Sequence, residues 1–327
     1  MSTQSILNDR NYSIDLIKII AMCMVVCLHT THHFLDLNRI NLEYILYYTS
    51  AIAIPLFFMV SGYLLIGRKS ITYTYAIRKI WGIIRFILII IGLWWFLRGF
   101  IKGWNLEILI DSFCGAFLQK GDFWMFWYFC SMCILYSLYP LINKLYAHPH
   151  YYILSLILLG ITQNLIFSCN LITEGETLIA QPFRIWNWLF YFVLGGMLKF
   201  RMTNKALLLS LILLLLIANI YMIHFFSPFM NTSYCEYFYG YPIVIILSSS
   251  VFLFVRDLNF QNVGFLKSLS KLFLPVYTIH PFIIRCINPS KFINYGGAAY
   301  FLTILLTTII ISWLLMKIPI IKQLFKI

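Results

Sequence analysis

Apolar runs long enough to cross a lipid bilayer follow one another along almost the whole chain. A spanning helix needs about 20 predominantly apolar residues, and the 327 residues hold such runs with no long polar insert between them. Inside a bilayer every backbone polar group must be satisfied within the protein, which favours helices. The sequence therefore predicts an all-α, polytopic membrane protein, with one integral-membrane domain over residues 1–327.

Polar and turn-rich breaks divide the chain into about ten predicted transmembrane helices. Their approximate limits are 14–34, 44–66, 80–100, 122–143, 151–170, 185–200, 206–226, 237–255, 268–288 and 298–318.

The composition excludes an ordinary soluble protein. Hydrophobic residues make up 61% of the chain and charged residues 11%, whereas charged residues are about a quarter of a soluble domain. The net charge of +13 is spread over the ends of apolar runs, as in membrane proteins. We therefore expect membrane lipids, and no nucleic acid, as partners.

The eight cysteines lie mostly within apolar runs, where cysteine behaves as a small hydrophobic residue. Cys130 and Cys133 have the CxxC spacing, but no second pair or nearby histidine completes a metal site. We expect no metal.

The distribution of basic residues predicts the orientation of the helices. Lys and Arg concentrate in cytoplasmic segments of membrane proteins. When the chain begins in the cytoplasm, the inner segments carry Arg10, Arg68, Lys69, Arg78, Lys79, Lys144, Lys199, Arg201, Lys205, Arg256, Lys267, Lys271, Lys317, Lys322 and Lys326. The outer segments carry most of the acidic residues, namely Asp36, Glu43, Glu107, Asp111, Asp122, Glu174, Glu176 and Glu236. The asymmetry of Lys and Arg predicts that both termini are cytoplasmic; the acidic residues are not part of that rule.

Three ionisable residues interrupt the first apolar run: Asp15, Lys18 and His29. Charged groups at membrane depth are costly and usually functional. An imidazole titrates near neutral pH, so His29 is a candidate general base, and Asp15 is a second candidate catalytic residue. Lys18 is a candidate phosphate-binding group on the cytoplasmic side. The alternative is that Lys18 extends to the interface, Asp15 pairs with it, and His29 is only interfacial.

The second run contains IPLFFMVSGYLLIGR, in which Pro55, Ser61 and Gly62 interrupt an aromatic face. Proline releases backbone groups in a spanning helix, and small residues permit close approach of a neighbour or a ligand. The motif serves either helix packing or a ligand, and Ser61 is a candidate ligand-binding residue.

Five strings along the chain resemble the acyltransferase 3 family of integral-membrane acyltransferases, especially its short members that O-acetylate bacterial surface glycans such as O-antigen. They are DLIKIIAMCMVVCLH, PLFFMVSGYLL, WYFCSMCILYSLYPLI at 127–142, FYFVLGGML at 190–198 and SLSKLFLPVYTIHPFI at 268–283. They occur in the family's order and span nearly the whole chain.

The resemblance implies roles for particular residues. Relatives pair a basic residue near the start of the first helix, usually Arg, with a histidine eleven positions later; here these are Lys18 and His29. Basic residues entering the third helix, implicated in acyl-CoA binding, correspond to Arg78, Lys79 and Arg85, without the relatives' RxxR spacing.

Two further positions bear on the resemblance. Met125 stands where relatives often have a histidine. Tyr277 and His280 match a late YxxH motif, and His280 is either catalytic or a structural hydrogen-bonding residue at a helix end.

The resemblance implies a membrane-bound O-acyltransferase of the bacterial cytoplasmic (inner) membrane. The expected reaction transfers an acetyl group from cytoplasmic acetyl-CoA to a sugar hydroxyl of a lipid-linked or surface polysaccharide. Lys18, Arg78, Lys79 and Arg85 would bind the phosphates of CoA, His29 would remove the hydroxyl proton, and Ser61 or a helix charge would stabilise the oxyanion.

Three other functions fit parts of the sequence. A proton-coupled transporter or glycolipid flippase would also carry ionisable residues in its helices, with Asp15 as proton carrier. A polysaccharide polymerase is also polytopic, but the predicted topology leaves no long outer loop to bind glycan. A structural membrane subunit would explain the composition but not the ordered motifs.

Overall fold

The computed structural model describes residues 11–68, 72–172, 179–199, 204–226, 234–258, 260 and 263–326. All regular secondary structure in these ranges is helical, which confirms the all-α prediction. Some residues of the charge distribution given above lie outside the described residues, namely Arg10, Lys69, Glu174, Glu176 and Arg201.

The described part of the first half of the chain forms seven α-helices. They are α1 (Tyr12–Thr31), α2 (Leu42–Thr49), α3 (Ala53–Leu65), α4 (Tyr73–Lys102), α5 (Leu106–Leu118), α6 (Trp127–Tyr146) and α7 (Pro149–Ile172). Short 3₁₀ turns at His32–Phe34, Ser50–Ile52 and Gly121–Phe126 extend or connect them.

The second half adds seven more α-helices within the described ranges. They are α8 (Ile185–Met197), α9 (Lys205–Phe226), α10 (Pro242–Arg256), α11 (Gly264–Ser270), α12 (Phe273–Cys286), α13 (Gly297–Leu315) and α14 (Pro319–Leu324). Three further 3₁₀ turns lie at Gln181–Phe183, Cys235–Phe238 and Pro289–Phe292.

Seven helical stretches of the described chain are long and apolar enough to cross a membrane. They are Tyr12–Phe34, Leu42–Leu65, Tyr73–Lys102, Leu106–Tyr146, Pro149–Cys169, Lys205–Phe225 and Gly297–Leu315. The helices α8 and α10 are apolar but shorter. A membrane protein with several spanning helices is thus supported, whereas the number of ten, the cytoplasmic termini and the single domain stay predictions.

Two of the predicted helices are broken by proline. The predicted helix 44–66 consists of α2 and α3, with Pro55 in the first turn of α3. The predicted helix 268–288 consists of α11 and α12, with Pro275 in the first turn of α12. Proline lacks a backbone N–H and is tolerated where a helix begins, because the first N–H groups have no intrahelical partner.

Helix α1 lies at the centre of the bundle and carries the first candidate residues. The Asn11 side chain caps its start by accepting a hydrogen bond from the Ile14 N–H at 3.2 Å. Helices α3, α10, α12 and α13 all pack against α1. This central position buries most of the apolar surface of α1.

Glycines bring α3 and α8 into direct backbone contact. A Cβ added at Gly62 would lie 1.8 Å from the Phe192 carbonyl oxygen, and one at Gly195 would lie 2.1 Å from that of Met59. Phe58 of α3 stacks on Trp188 of α8 with ring centroids 4.8 Å apart. The glycines of the VSGYLL and FYFVLGGML motifs therefore serve the packing of these two helices.

Hydrogen bonds join the helices at the two ends of the bundle. At the end where α1 begins, Ser13 donates to the Leu258 carbonyl and Lys199 donates to the Ile66 carbonyl. Burial and the nearby Arg68 lower the pKa of Lys199. At the end where α1 finishes, Glu43 accepts a hydrogen bond from the Gly297 N–H at 3.0 Å.

Candidate active site

A cavity of about 490 Å³ lies at the end of the bundle where α1 finishes. Its wall is formed by α1 and the turn that follows it, by α12, and by the turn Gly121–Phe126 before α6. The imidazole, amide and guanidinium side chains in its lining are His29, His32, His33, His280, Gln119 and Arg285, and tyrosines in the lining are Tyr47, Tyr234, Tyr239 and Tyr277. A mostly apolar cavity with a few convergent polar groups is the usual form of a small-molecule site.

His29 lies in this wall on the last turns of α1. Its ring makes an edge contact with Trp124 at 4.8 Å between centroids and stacks on His280 at 5.4 Å, with the ring planes 18° apart. Among the described residues, no protein group forms a hydrogen bond with the His29 ring nitrogens. The imidazole is thus held by ring packing, and its nitrogens are available to a ligand.

His280 is fully buried on α12 beside His29. Its Nδ1 lies 3.0 Å from the Val276 carbonyl oxygen, and because a carbonyl only accepts, Nδ1 carries the proton. A neutral ring with its proton on Nδ1 has an acceptor lone pair on Nε2. No protein group described in the structure bonds this buried Nε2.

Tyr277 fixes α12 against the start of α6. Its hydroxyl donates a hydrogen bond to the Met125 carbonyl, and its ring contacts Phe129 at 5.5 Å between centroids. This contact uses the backbone carbonyl of residue 125, which every residue type provides. This anchor sets the position of His280, one turn further along α12.

Three rings, those of His32, Tyr47 and Tyr234, form an aromatic wall on one side of the cavity. His32 stacks on Tyr234 at 5.2 Å between centroids with the planes 6° apart, and lies 5.5 Å from the Tyr47 ring. Flat rings with polar edges suit a ligand that has both apolar faces and hydroxyl groups. The three residues of this wall come from separate segments of the chain, so no local sequence motif predicts it.

Gln119 enters the cavity lining from a strained backbone position. It ends α5 with φ 59° and ψ 41°, the left-handed region that favours glycine. Its side chain accepts a hydrogen bond from the Gln181 N–H at 3.2 Å. Because such a conformation costs of order 1–3 kcal/mol and collects at functional sites, Gln119 is a site residue that the sequence did not reveal.

The mouth of the cavity carries an ion pair. Arg285 donates to the Asp122 carboxylate at 2.7 Å, and each side chain is about two-fifths exposed. Arg285 lines the cavity, whereas the lining within the described chain includes no carboxylate. The one formally charged side chain of this lining within the described chain is therefore already balanced by the Asp122 carboxylate.

Asp15 and Lys18 lie far from His29. They form an ion pair at 3.8 Å near the start of α1, where Asp15 is 3% exposed. Fourteen residues separate Asp15 from His29, which is roughly 21 Å along a helix at 1.5 Å per residue. The structure therefore pairs Asp15 with Lys18 and does not bring either residue to the cavity.

The remaining candidates also lie outside the cavity lining. Arg78 and Arg85 are exposed on α4, and the Lys79 ammonium lies 5.9 Å from the centroid of the Tyr75 ring. The Ser61 hydroxyl donates to the Phe57 carbonyl at 3.0 Å within α3. Of the seven residues predicted to be catalytic or cofactor-binding in the first three helices, only His29 lines the cavity. Tyr277 and His280 of the YxxH motif line it as well.

No metal site emerges from the described residues, since no group of three His, Cys, Asp or Glu side chains has suitable geometry. Cys130 is buried and Cys133 half-buried on α6, and both are free.

Comparison with known proteins adds two findings. A family model described as "Acyltransferase domain" matches residues 11–317. An amino-acid racemase from Enterococcus faecalis is 26% identical over 334 residues, which cover 95% of this chain and 47% of the racemase. The chain thus spans about half the length of that relative. No solved structure matches the chain significantly.

Proposed function

Because the chain belongs to the acyltransferase 3 family, we propose that it transfers an acetyl group from cytoplasmic acetyl-CoA to a sugar hydroxyl of a lipid-linked or surface polysaccharide. The family match assigns acyl transfer. The acetyl group, the CoA donor, the glycan acceptor and a site in the bacterial cytoplasmic (inner) membrane are parts of the proposal.

The observation that carries the mechanism is His29, whose side chain lines the cavity and whose ring nitrogens form no hydrogen bond with any described protein group. In the proposed reaction, His29 takes the proton of the acceptor hydroxyl while that oxygen attacks the carbonyl carbon of the thioester. The tetrahedral intermediate then collapses as the carbon–sulfur bond breaks. The thiolate of CoA receives the proton from His29, so the products are the acetyl ester and CoA.

The donor reaches this site from the end of the bundle where α1 begins. Lys18, Arg78, Lys79 and Arg85 are the cations that we propose for binding the phosphates of CoA. Asp15 pairs with Lys18, and at roughly 21 Å from His29 it acts on the donor side and not on the reacting atoms. Ser61 does not line the cavity, and we propose it as a further residue that binds the acyl donor.

The experiment that tests this function compares cells carrying the wild type, His29→Ala or no copy of the protein, with protein levels matched. NMR measures the acetyl content of the surface polysaccharide. We expect an acetyl signal with the wild type only, because general-base catalysis contributes about 10²- to 10⁴-fold. His148→Ala is the matched control, since His148 is exposed and remote from the cavity lining.

An equal acetyl signal in His29→Ala would exclude the general-base role. No difference among all the strains, with a suitable glycan and a positive-control acetylase, would exclude the acetyl transfer itself.

A proton-coupled transporter or glycolipid flippase is the second candidate. The observation that favours it is the burial of Asp15 within a helix long enough to span a membrane. Such a protein would show uptake or flipping without acetyl-CoA. Racemase activity is not part of this proposal, because more than half of the relative with that name lies outside the alignment.

A further inference from the structure

His280 holds the buried, unpartnered acceptor nitrogen described above. Its ring is 0% exposed and its Nδ1 is committed to the Val276 carbonyl. A buried polar atom without a partner is unfavourable, and His280 belongs to the lining of the cavity. A ligand in the cavity is therefore the natural partner for Nε2.

We propose that His280 binds the acceptor: its Nε2 accepts a hydrogen bond from a hydroxyl of the acceptor and holds that molecule beside His29. This inference rests on the proposed function and adds a substrate-binding residue to it. No additional proton transfer is involved, since the reacting proton still passes from the hydroxyl to His29 and then to the thiolate.

The chemistry of Nε2 distinguishes the two substrates. A lone pair on a neutral imidazole needs a donor hydrogen. The thioester group of the acyl donor offers only a carbonyl oxygen and a sulfur, both of which are acceptors. A sugar presents several hydroxyl groups, each of which donates one hydrogen. His280 is therefore matched to the acceptor and not to the reacting group of the acyl donor.

The arrangement of the two rings brings the acceptor to the base. His29 and His280 stack at 5.4 Å between centroids, and both line the same cavity. Neighbouring hydroxyl groups on one sugar ring can therefore face the two imidazoles at once. Tyr277 anchors α12 through the Met125 carbonyl, which limits the freedom of His280 to turn away.

A purely structural role for His280 makes a different prediction. The bond from Nδ1 to Val276 joins a side chain to the carbonyl four residues earlier in the same helix. Asparagine makes this type of bond elsewhere in the chain, where Asn164 Nδ2 donates to the Gly160 carbonyl at 2.8 Å in α7. Asparagine at position 280 would thus preserve the structural bond but lack an acceptor at the Nε2 position.

The test uses the full-length protein in membrane vesicles, with acetyl-CoA and the surface polysaccharide extracted from the host cells. Initial rates of polysaccharide acetylation give KM for each substrate and kcat for the wild type, His280→Asn and His280→Gln. The longer glutamine side chain presents an amide oxygen near the Nε2 position. The matched control is His148→Asn, at an exposed histidine outside the cavity lining.

We expect His280→Asn to raise KM for the polysaccharide about tenfold or more, as for loss of one buried hydrogen bond. KM for acetyl-CoA should stay unchanged. His280→Gln should keep KM for the polysaccharide within about threefold of the wild type, because it restores an acceptor. Wild-type kinetics in His280→Asn would overturn the proposal, as would a rise in KM for acetyl-CoA alone.

A second variant covers a failure of folding. If His280→Asn does not reach the membrane at the level of the wild type, His280→Gln decides: a near-normal KM for the polysaccharide supports the proposal, and an increase confined to KM for acetyl-CoA overturns it. Failure of the proposed function gives a separate result, in which wild-type vesicles transfer no acetyl group at all.

Discussion

The side chains of the Asp15–Lys18 ion pair differ in solvent exposure, and this difference decides what each residue contributes. The Asp15 side chain is 5% exposed and that of Lys18 is 29% exposed. A buried carboxylate needs a partner, whereas the ammonium of Lys18 remains partly exposed to solvent. Lys18 is therefore the member of the pair that we expect to meet the phosphates of CoA.

Two substitutions at Lys18 distinguish the contribution of its positive charge from that of its side-chain shape. Lys18→Arg should retain most activity, because it keeps the positive charge beside Asp15. Lys18→Ala should raise KM for acetyl-CoA by about tenfold, since a charge-assisted hydrogen bond contributes about 1.5–3 kcal/mol. The measurement is the dependence of polysaccharide acetylation on acetyl-CoA concentration. Lys205→Ala, at an exposed lysine that begins α9, is the control, and unchanged kinetics in Lys18→Ala would exclude this contact.

Some of the site was visible in individual residues. An ionisable group in an apolar run is conspicuous, so His29 and the Asp15–Lys18 pair were predictable. Trp124 was not, because a tryptophan near a helix end is ordinary at a membrane interface. Gln119 and Arg285 reach the cavity through the packing of segments far apart in sequence. A local sequence pattern therefore does not predict that these two side chains line one cavity.

At the scale of helices, the contact between α3 and α8 is the most restrictive in the described part of the molecule. Gly62 and Gly195 each approach the backbone of the opposite helix more closely than any side chain allows. Sequence periodicity predicted both helices but not their pairing. It also missed α5, whose 13 residues fall short of the about 20 needed to span a bilayer.

Gly195→Ala tests this contact. The new Cβ would lie 2.1 Å from the Met59 carbonyl oxygen, so α3 and α8 must separate, at a cost of about 1–3 kcal/mol for overpacking. We expect a lower melting temperature in detergent and reduced activity.

Gly92→Ala is the matched control for Gly195→Ala. Gly92 also lies within a helix, but no atom stands within 4 Å of its added Cβ. Alanine is the better helix former by about 1 kcal/mol, so this variant should melt at the same temperature or slightly higher. Equal melting temperatures for both variants would contradict a tight contact between α3 and α8.

At the scale of the whole molecule, the helices differ in what surrounds them. In the most apolar 18-residue segment of the stretch Tyr12–Phe34, 61% of the residues are buried. In the corresponding segment of α13, only 22% are buried. Large apolar side chains are exposed on α4, α7, α9 and α13. An exposed apolar belt of this kind is typical of helices that contact lipid, with α1 and α3 enclosed behind them.

Cysteine labelling tests the predicted orientation. Cys286 is exposed beside Arg285 at the mouth of the cavity, and the positive-inside distribution puts this end outside the cytoplasm. A variant that keeps only Cys286 should react with a membrane-impermeant maleimide on intact cells. A cysteine-free protein with Lys144→Cys should react only after permeabilisation. The reverse pattern would invert the topology and move the acceptor to the cytoplasmic face.

The short helix α8 bears on how far an acyl group would travel through the apolar part of the protein. Helix α8 has 13 residues, a length of roughly 20 Å at 1.5 Å per residue, whereas the hydrocarbon layer is about 30 Å thick. Helix α8 is therefore about 10 Å shorter than that layer. In the proposed reaction, an acyl group that passes along α8 from a donor on one face to a hydroxyl on the other would cross a correspondingly shorter apolar path.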